Sequence, residues 1–358
     1  MAEAIISSTL DSGWAWLPND VLDLILEKLI PISDYIRFGA VCKAWRSFAL
    51  YQKPQRLKSC CKQLPMLMIT DKGNYCGSDD DCLVLTLFNL FTRHTILLPP
   101  VKGPESLDVS WDYFCIAKAV LSADPSLFPN GFEALILYHD FYTVVSEVSH
   151  FKGGDDTWTH MHTIDTSTRL SDVIYHQDQF RAVTQNGELF SINVNSYPAD
   201  ITRTIGSRPS HTSTSYYLVE SPRGDLWLVE MSFSGYREPV YKVVLCDFGG
   251  DGGPQWVEIE SIGTDALFLG WNVCMSVSAS DFPGCRPNSI YFINAVKFPH
   301  VGVFNLENGS LERQCCSSLP QEEVWSVILD FAFYGMRRWF QFSSSVFPYD
   351  IKLYFVSF

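Results

Sequence analysis

Between Leu17 and Phe48 the chain reads LPNDVLDLILEKLIPISDYIRFGAVCKAWRSF, and this stretch limits what the remainder can be. Leu22, Ile25, Leu26 and Leu29 recur at i, i+3, i+4 and i+7, one face of an α-helix. Pro18 suits the first helical turn, and Asp20 lies where the helix dipole favours negative charge. Val21 and Leu24 are apolar as well, so the helix has more apolar surface than its own small module needs, and something else must cover the rest. Ser33 can cap a second short helix that passes through Ile36 and Phe38 to Gly39. Val41, Trp45 and Phe48 then recur at i, i+4 and i+7, with Lys43 and Arg46 opposite, and Pro54 is expected to stop this third helix. Three helices in about forty residues bury little surface, so the module is expected to dock on a partner.

From Pro65 onward the period changes. Short apolar runs such as Cys82–Leu87, Phe114–Leu121, Ala134–Tyr138, Phe180–Thr184, Leu226–Met231 and Val240–Cys246 are separated by turn signals, among them Asn186-Gly187, Arg223-Gly224-Asp225 and Asn308-Gly309. This is an all-β pattern without long intervening helices. Two internal echoes run through it. Phe151-Lys-Gly-Gly-Asp155 precedes Trp158 as Phe248-Gly-Gly-Asp251 precedes Trp256, and FRAVTQNGELFSI (180–192) parallels YYLVESPRGDLWLV (216–229). Repeated hairpins with a tryptophan on a later strand suit a β-propeller. At roughly 40 to 50 residues per blade, the region from 65 to the end would hold about six. A large β-sandwich is the other architecture compatible with the pattern.

With 40 acidic against 26 basic side chains and a net charge of −14, the chain lacks the concentrated cations that nucleic acid requires. Its 11 cysteines are an odd number, and the start has neither a basic segment nor an apolar run of the secretory kind. The adjacent pairs Cys60-Cys61 and Cys315-Cys316 are not CxxC, so reduced thiols in the cytoplasm or nucleus are expected. No apolar run is long enough to span a membrane.

The pattern Leu17-Pro18, Val21-Leu22, Ile25, Leu29, Asp34, Val41-Cys42-Lys43, Trp45-Arg46 closely resembles the F-box, the three-helix segment by which substrate receptors bind the Skp adaptor of Skp–cullin–F-box ubiquitin ligases. Tyr35 departs from the Leu that many F-boxes carry there. A helical hairpin capping the next domain is the blander reading of the same residues. Further along, PMLM (65–68), RHTILLPP (93–100), KAVLSADPS (118–126), WTHMHT…DVIYHQDQFRAVTQNGEL (158–189), YLVESPRGDLWLV (217–229), FLGWNVCMSVSASDFPGCRPNSIYF (268–292) and GVFNLENGS (302–310) resemble the plant F-box proteins with a KIB-type β-propeller. That resemblance implies a propeller that recruits a target protein. It weakens over 324–358, which is unusually apolar where such domains end in a polar linker and a ring-closing strand. Either the closing strand is divergent or the ring closes badly, and an open ring would expose strand edges.

Chemistry-bearing clusters are few. His160 and His162 alternate on one strand face as metal ligands might, but without an acidic or cysteine partner at matching spacing. Gly249-Gly250-Asp251-Gly252-Gly253 lacks the Lys-Ser/Thr and following helix of a phosphate loop. Asp79-Asp80-Asp81 lacks the spaced ligands of a calcium loop. No GxSxG or HExxH occurs.

These readings combine into an α+β multidomain chain: a flexible N-terminus (1–13), an F-box (14–52), a basic helical linker (53–64) and a KIB-type β-propeller (65–358). The resemblance implies a substrate-recognition subunit of a ubiquitin ligase, not itself an enzyme, that binds a Skp-family adaptor through Leu17, Pro18, Leu22, Ile25, Leu29, Val41, Cys42 and Trp45. Its partners would be that adaptor, a cullin through it, and an unidentified target protein. No catalytic residue, cofactor, metal, nucleic-acid or membrane partner is expected. The competing class is a propeller scaffold working outside any ligase. A propeller enzyme of the galactose-oxidase type would need copper ligands.

Overall fold

The computed structural model describes residues 17–28, 38–39 and 41–60, most of 66–315 with internal gaps, and 351–357; 1–16, 29–37, 61–65, 72–81, 90–94, 103–113, 141–145, 162–168, 209–214, 295–299 and 316–350 are the longer stretches outside it. The chain divides into two compact units, Met1–Lys62 and Gln63–Phe358.

In the first unit α1 spans Asn19–Lys28, and α2 spans Lys43–Cys60. The Pro18 carbonyl accepts the N–H groups of Val21 and Leu22, each at 3.1 Å, which starts α1 where Pro18 has already set the backbone. Leu22 and Leu26 of α1 pack on Phe38, Trp45 and Ala49, with Leu17, Ile25, Cys42 and Phe48 partly buried around them. The rings of Phe38 and Trp45 lie 4.5 Å apart, and Gln52 Nε2 of α2 donates to Asp23 Oδ1 of α1 at 3.1 Å. Two helices are described where three were expected. Phe38 and Gly39 are helical, and the rest of the expected middle helix falls outside the described residues. Pro54 does not stop α2. It deprives the helix of a single N–H donor, and the turns on either side carry on past it.

Among the described residues the second unit is built of β-strands, apart from one turn of 3-10 helix at Ala279–Asp281. Strands β1 (Met66–Asp71), β2 (Cys82–Asn89), β3 (Thr95–Leu97) and β4 (Val101–Lys102) lead into β5 (Phe114–Leu121), β6 (Glu133–Asp140), β7 (Ser146–Lys152) and β8 (Thr159–Met161). Next come β9 (Leu170–His176), β10 (Gln179–Thr184), β11 (Leu189–Asn193) and β12 (Asp200–Ile205), then β13 (Ser215–Glu220), β14 (Leu226–Ser234), β15 (Glu238–Asp247) and β16 (Gln255–Ile259). The last group is β17 (Asp265–Leu269), β18 (Cys274–Ser278), β19 (Ser289–Asn294), β20 (His300–Asn305), β21 (Leu311–Cys315) and the terminal β22 (Ile351–Ser357).

Among the described residues these form four sheets, which replaces the expectation of about six blades drawn from residues per repeat. The count falls because one sheet has nine strands. In it β22 runs antiparallel to β1 and parallel to β5, joining two groups of strands that chain length alone separates. Sheets β9–β12 and β13–β16 are antiparallel meanders, and in the last sheet β17 and β19 pair in parallel with β18 at the edge. Strand β5 lies beside β9, β9 beside β13, and β13 beside β18. The core is correspondingly a series of wedges between sheets. Val120, Leu135 and Val148 meet Val173, Phe180 and Ala182 in one; Ile174, Val183 and Leu189 meet Tyr216, Leu218 and Val244 in the next. A strand buried on both faces explains runs such as SEVSHF of β7, which has no polar–apolar alternation.

The tryptophan echo is a true repeat. Trp158 precedes the fourth strand of one group and Trp256 lies on the fourth strand of another. Each donates its indole N–H to a carbonyl of a preceding group, Trp158 to Pro99 at 2.8 Å and Trp256 to Gly187 at 3.0 Å. The hairpin echo is not. Residues 180–192 form the second and third strands of their sheet, whereas 216–229 form the first and second of theirs.

Candidate functional site

Of the eight residues expected to bind an adaptor, the structure separates three groups. Leu22 and Trp45 are interior, at 3% and 7% exposure, and belong to the core of the helical unit. Leu17, Ile25 and Cys42 are half-buried at its rim. Pro18 is exposed, and Val41 is 54% exposed. Leu29 lies outside the described residues. Leu24, absent from that set, is 60% exposed on α1. Its signal was in the sequence: it falls off the Leu22–Ile25–Leu26 face, so an apolar residue there serves no internal packing. Exposed Pro18, Leu24 and Val41, with half-buried Leu17 and Ile25, put several apolar side chains on a surface that also carries Asp20, Asp23, Lys43 and Arg46.

In the second unit the polar groups sit where sheets meet. Lys118 on β5 and Asp172 on β9 form an ion pair at 2.6 Å with side chains 5% and 4% exposed. Asp172 also accepts the N–H of Val173 at 2.8 Å and of Leu218, from β13, at 2.7 Å. Burial works against the Lys118 charge, but Asp172 beside it outweighs that and holds the ammonium above its ordinary pKa. Cys274 faces this pair, and burial pushes its thiol up to about 12. Arg208 binds Glu230 and, at 3.2 Å, Glu258.

The His160 ring is held in a hydrogen-bonded cluster. Its Nδ1 bonds Ser149 Oγ at 2.8 Å and Tyr138 OH at 3.1 Å, and Tyr138 OH bonds Ser149 Oγ at 3.0 Å. A Ser–His pair could in principle make a nucleophile, but Ser149 is fully buried and cannot meet a substrate. His162 and Asp79-Asp80-Asp81 lie outside the described residues. Among the described residues no three His, Cys, Asp or Glu side chains converge as metal ligands, and no helix is long and apolar enough to cross a membrane.

A small helical unit followed by a set of β-sheets fits an F-box joined to a β-propeller. The chain belongs to the KIB1-4 beta-propeller family, whose model matches residues 44–305, and an F-box-like model matches residues 14–54. Its relatives include Arabidopsis thaliana F-box proteins. F-box protein At3g25750 is 24% identical over 84% of this chain and 93% of its own length. F-box protein SKIP23 is 24% identical over 84% and 90% respectively. F-box protein At2g17690 is 47% identical, but over 16% of this chain and 13% of its own. Among solved structures the Dos1 propeller is similar at 12% identity and a TM-score of 0.35, covering 69% of this chain and 55% of that one, too distant to bear on function.

Proposed function

We propose that this protein is a substrate-recognition subunit of a Skp–cullin–F-box ubiquitin ligase, with the helical unit docking on a Skp-family adaptor and the propeller holding a target protein. The observation that carries the reading is the exposure of Leu24 and Val41 on a module that has Leu22, Leu26 and Trp45 for its own core. Apolar anchors of that kind dominate protein interfaces. Pro18, Leu24 and Val41, with the rim residues Leu17, Ile25 and Cys42, are the contact set; Leu22 and Trp45 support it from inside. The work of such a subunit is positional, raising the local concentration of target lysines near a conjugating enzyme.

The test is co-purification of the full chain with a Skp-family adaptor and cullin, comparing wild type with Leu24→Asp/Val41→Asp. Loss of capture with an unchanged propeller melting transition supports the reading. Undiminished capture by the double variant removes the contact set, and absence of adaptor from wild-type preparations favours a scaffold outside the ligase.

A further inference from the structure

Among the described residues of the second unit, most cations have an anion beside them, and those that have none are exposed or half-buried, apart from Arg181. Lys118 has Asp172, Arg208 has Glu230 and Glu258, Arg223 has Asp265, Arg203 has Glu188, and Arg286 has Glu312. Arg181 on β10 is only 7% exposed and forms no ion pair among the described residues. Its Nη1 donates to Ser191 Oγ at 3.1 Å, and that oxygen is shared with Thr204 Oγ1 at 2.9 Å. The guanidinium carbon sits 4.3 Å over the Phe248 ring, and Nε is buried without an acceptor. The nearby Cys246 thiol, pushed up to about 12 by burial, stays neutral and supplies no counter-charge. An arginine cannot shed its proton, so a buried one without an anion is costly to keep.

Two further observations fall at the same place. His176 stacks on the same Phe248 ring, with centroids 6.2 Å apart and planes 22° from parallel. Its Nε2 lies 2.9 Å from the Gly224 carbonyl, which can only accept, so Nε2 carries the hydrogen. Nδ1 is then a buried lone pair with no partner. Between His176 and Arg181 the hairpin turns through Gln177 and Asp178, at φ 49° and 58°, with no glycine to relieve the left-handed backbone. Turns of this shape ordinarily use Asn-Gly or Asp-Gly, and strain of this kind gathers at sites of function. Gln177 and Asp178 are exposed and Phe248 is half-buried, so the cluster lies just under the surface.

We propose that the tip of the β9–β10 hairpin, walled by Phe248, is a binding site for an oxyanion, a phosphate or carboxylate group received by Arg181 and His176. The anion supplies the charge that Arg181 lacks. The free Nδ1 of His176 accepts the O–H of a phosphate, whereas a carboxylate is held by Arg181. The site does not depend on how the helical unit docks. The group could arrive on a free small anion or on an acidic segment of a bound protein, and both are probed.

The experiment uses the full chain and follows thermal unfolding of the propeller in chloride, in sodium phosphate and with a short glutamate peptide, all at matched ionic strength. Wild type is compared with Arg181→Met, Arg181→Gln and the exposed-lysine control Lys242→Met. We expect a saturable rise in midpoint for wild type and Lys242→Met with at least one probe, and none for either Arg181 variant. In chloride the Arg181 variants should melt at or above the wild-type temperature, because an uncompensated cation has been removed. A response to phosphate alone assigns a free anion, a response to peptide alone assigns an acidic segment, and a response to both assigns the group. The proposal is overturned if wild type responds to neither probe or the response survives loss of Arg181. It is also overturned if both Arg181 variants melt below wild type in chloride or fail to fold, which would mark a structural arginine.

Discussion

Asp172 on β9 holds the ammonium of Lys118 on β5 at 2.6 Å, and with its other oxygen takes the Leu218 N–H of β13. One carboxylate therefore ties together β5, β9 and β13, strands of three different sheets, at a point where water does not reach. The pair adds a directional polar contact where these sheets also meet through apolar wedges.

Removing one partner of such a pair is worse than removing both. Asp172→Ala would leave the Lys118 charge buried and the Leu218 N–H unmatched, with an expected loss of about 3–5 kcal/mol. Urea unfolding of the propeller measures it. A loss below about 1 kcal/mol, the range of an exposed pair, would mean that the junction is wet or loose.

Acid should weaken the propeller before its carboxylates titrate. Burial lowers His139 and His150 to about 4, from an ordinary value of 6.5. Between those values the unfolded chain binds protons that the folded chain refuses, so their stabilising effect is complete above about 6.5 and is lost as pH falls toward 4. Glu133, raised by its own burial, works the other way and stabilises as pH drops into its range, offsetting part of the loss. Melting temperature measured from pH 7 to 4 should fall, and fall less for His139→Gln/His150→Gln. A flat profile for the wild type would contradict the burial of both rings.

Ring closure should reside in the last residues. Deleting 351–358 removes β22 and bares the facing edges of β1 and β5. We expect a lower melting temperature and concentration-dependent aggregation, seen by light scattering. A truncated chain that melts like the full one would show that the seam is held elsewhere.

The two repeat tryptophans should behave alike. Trp158→Phe and Trp256→Phe keep an aromatic body but orphan the carbonyls of Pro99 and Gly187, and each should cost about 1–3 kcal/mol by denaturant unfolding. Unequal losses would mean that only one of the two contacts is a shared feature of the blades.

Within the helical unit, position decides the effect of a substitution. Trp45→Ala empties the core against Phe38 and should cost about 3–5 kcal/mol, abolishing docking by unfolding the module. Leu24→Asp touches no core neighbour and should abolish docking with helical circular dichroism intact. Loss of helicity in the second variant would place Leu24 inside the fold.

Local patterns carried a good part of this molecule. The apolar period of Leu22, Ile25 and Leu26, the Asn186-Gly187 and Arg223-Gly224-Asp225 turns and the two tryptophan echoes are short-range signals, since helix period and turn chemistry depend on neighbours in the chain. They were enough for a helical module, an all-β domain and the family both resemble. What they could not reach was any property set by distant residues. Periodicity marks an apolar face but not what covers it, so Leu22 and Trp45 looked like Val41 until packing made the first two interior. The number of sheets depended on β22 pairing with β1 across nearly the whole chain. Asp172 finds Leu218 46 residues away. The solitude of Arg181 is the same kind of fact, because a missing partner shows only once every neighbour is in place. Sequence by itself determined the elements and the class; the tertiary structure decided which side chains face inward, which charges are matched, and where one is left waiting.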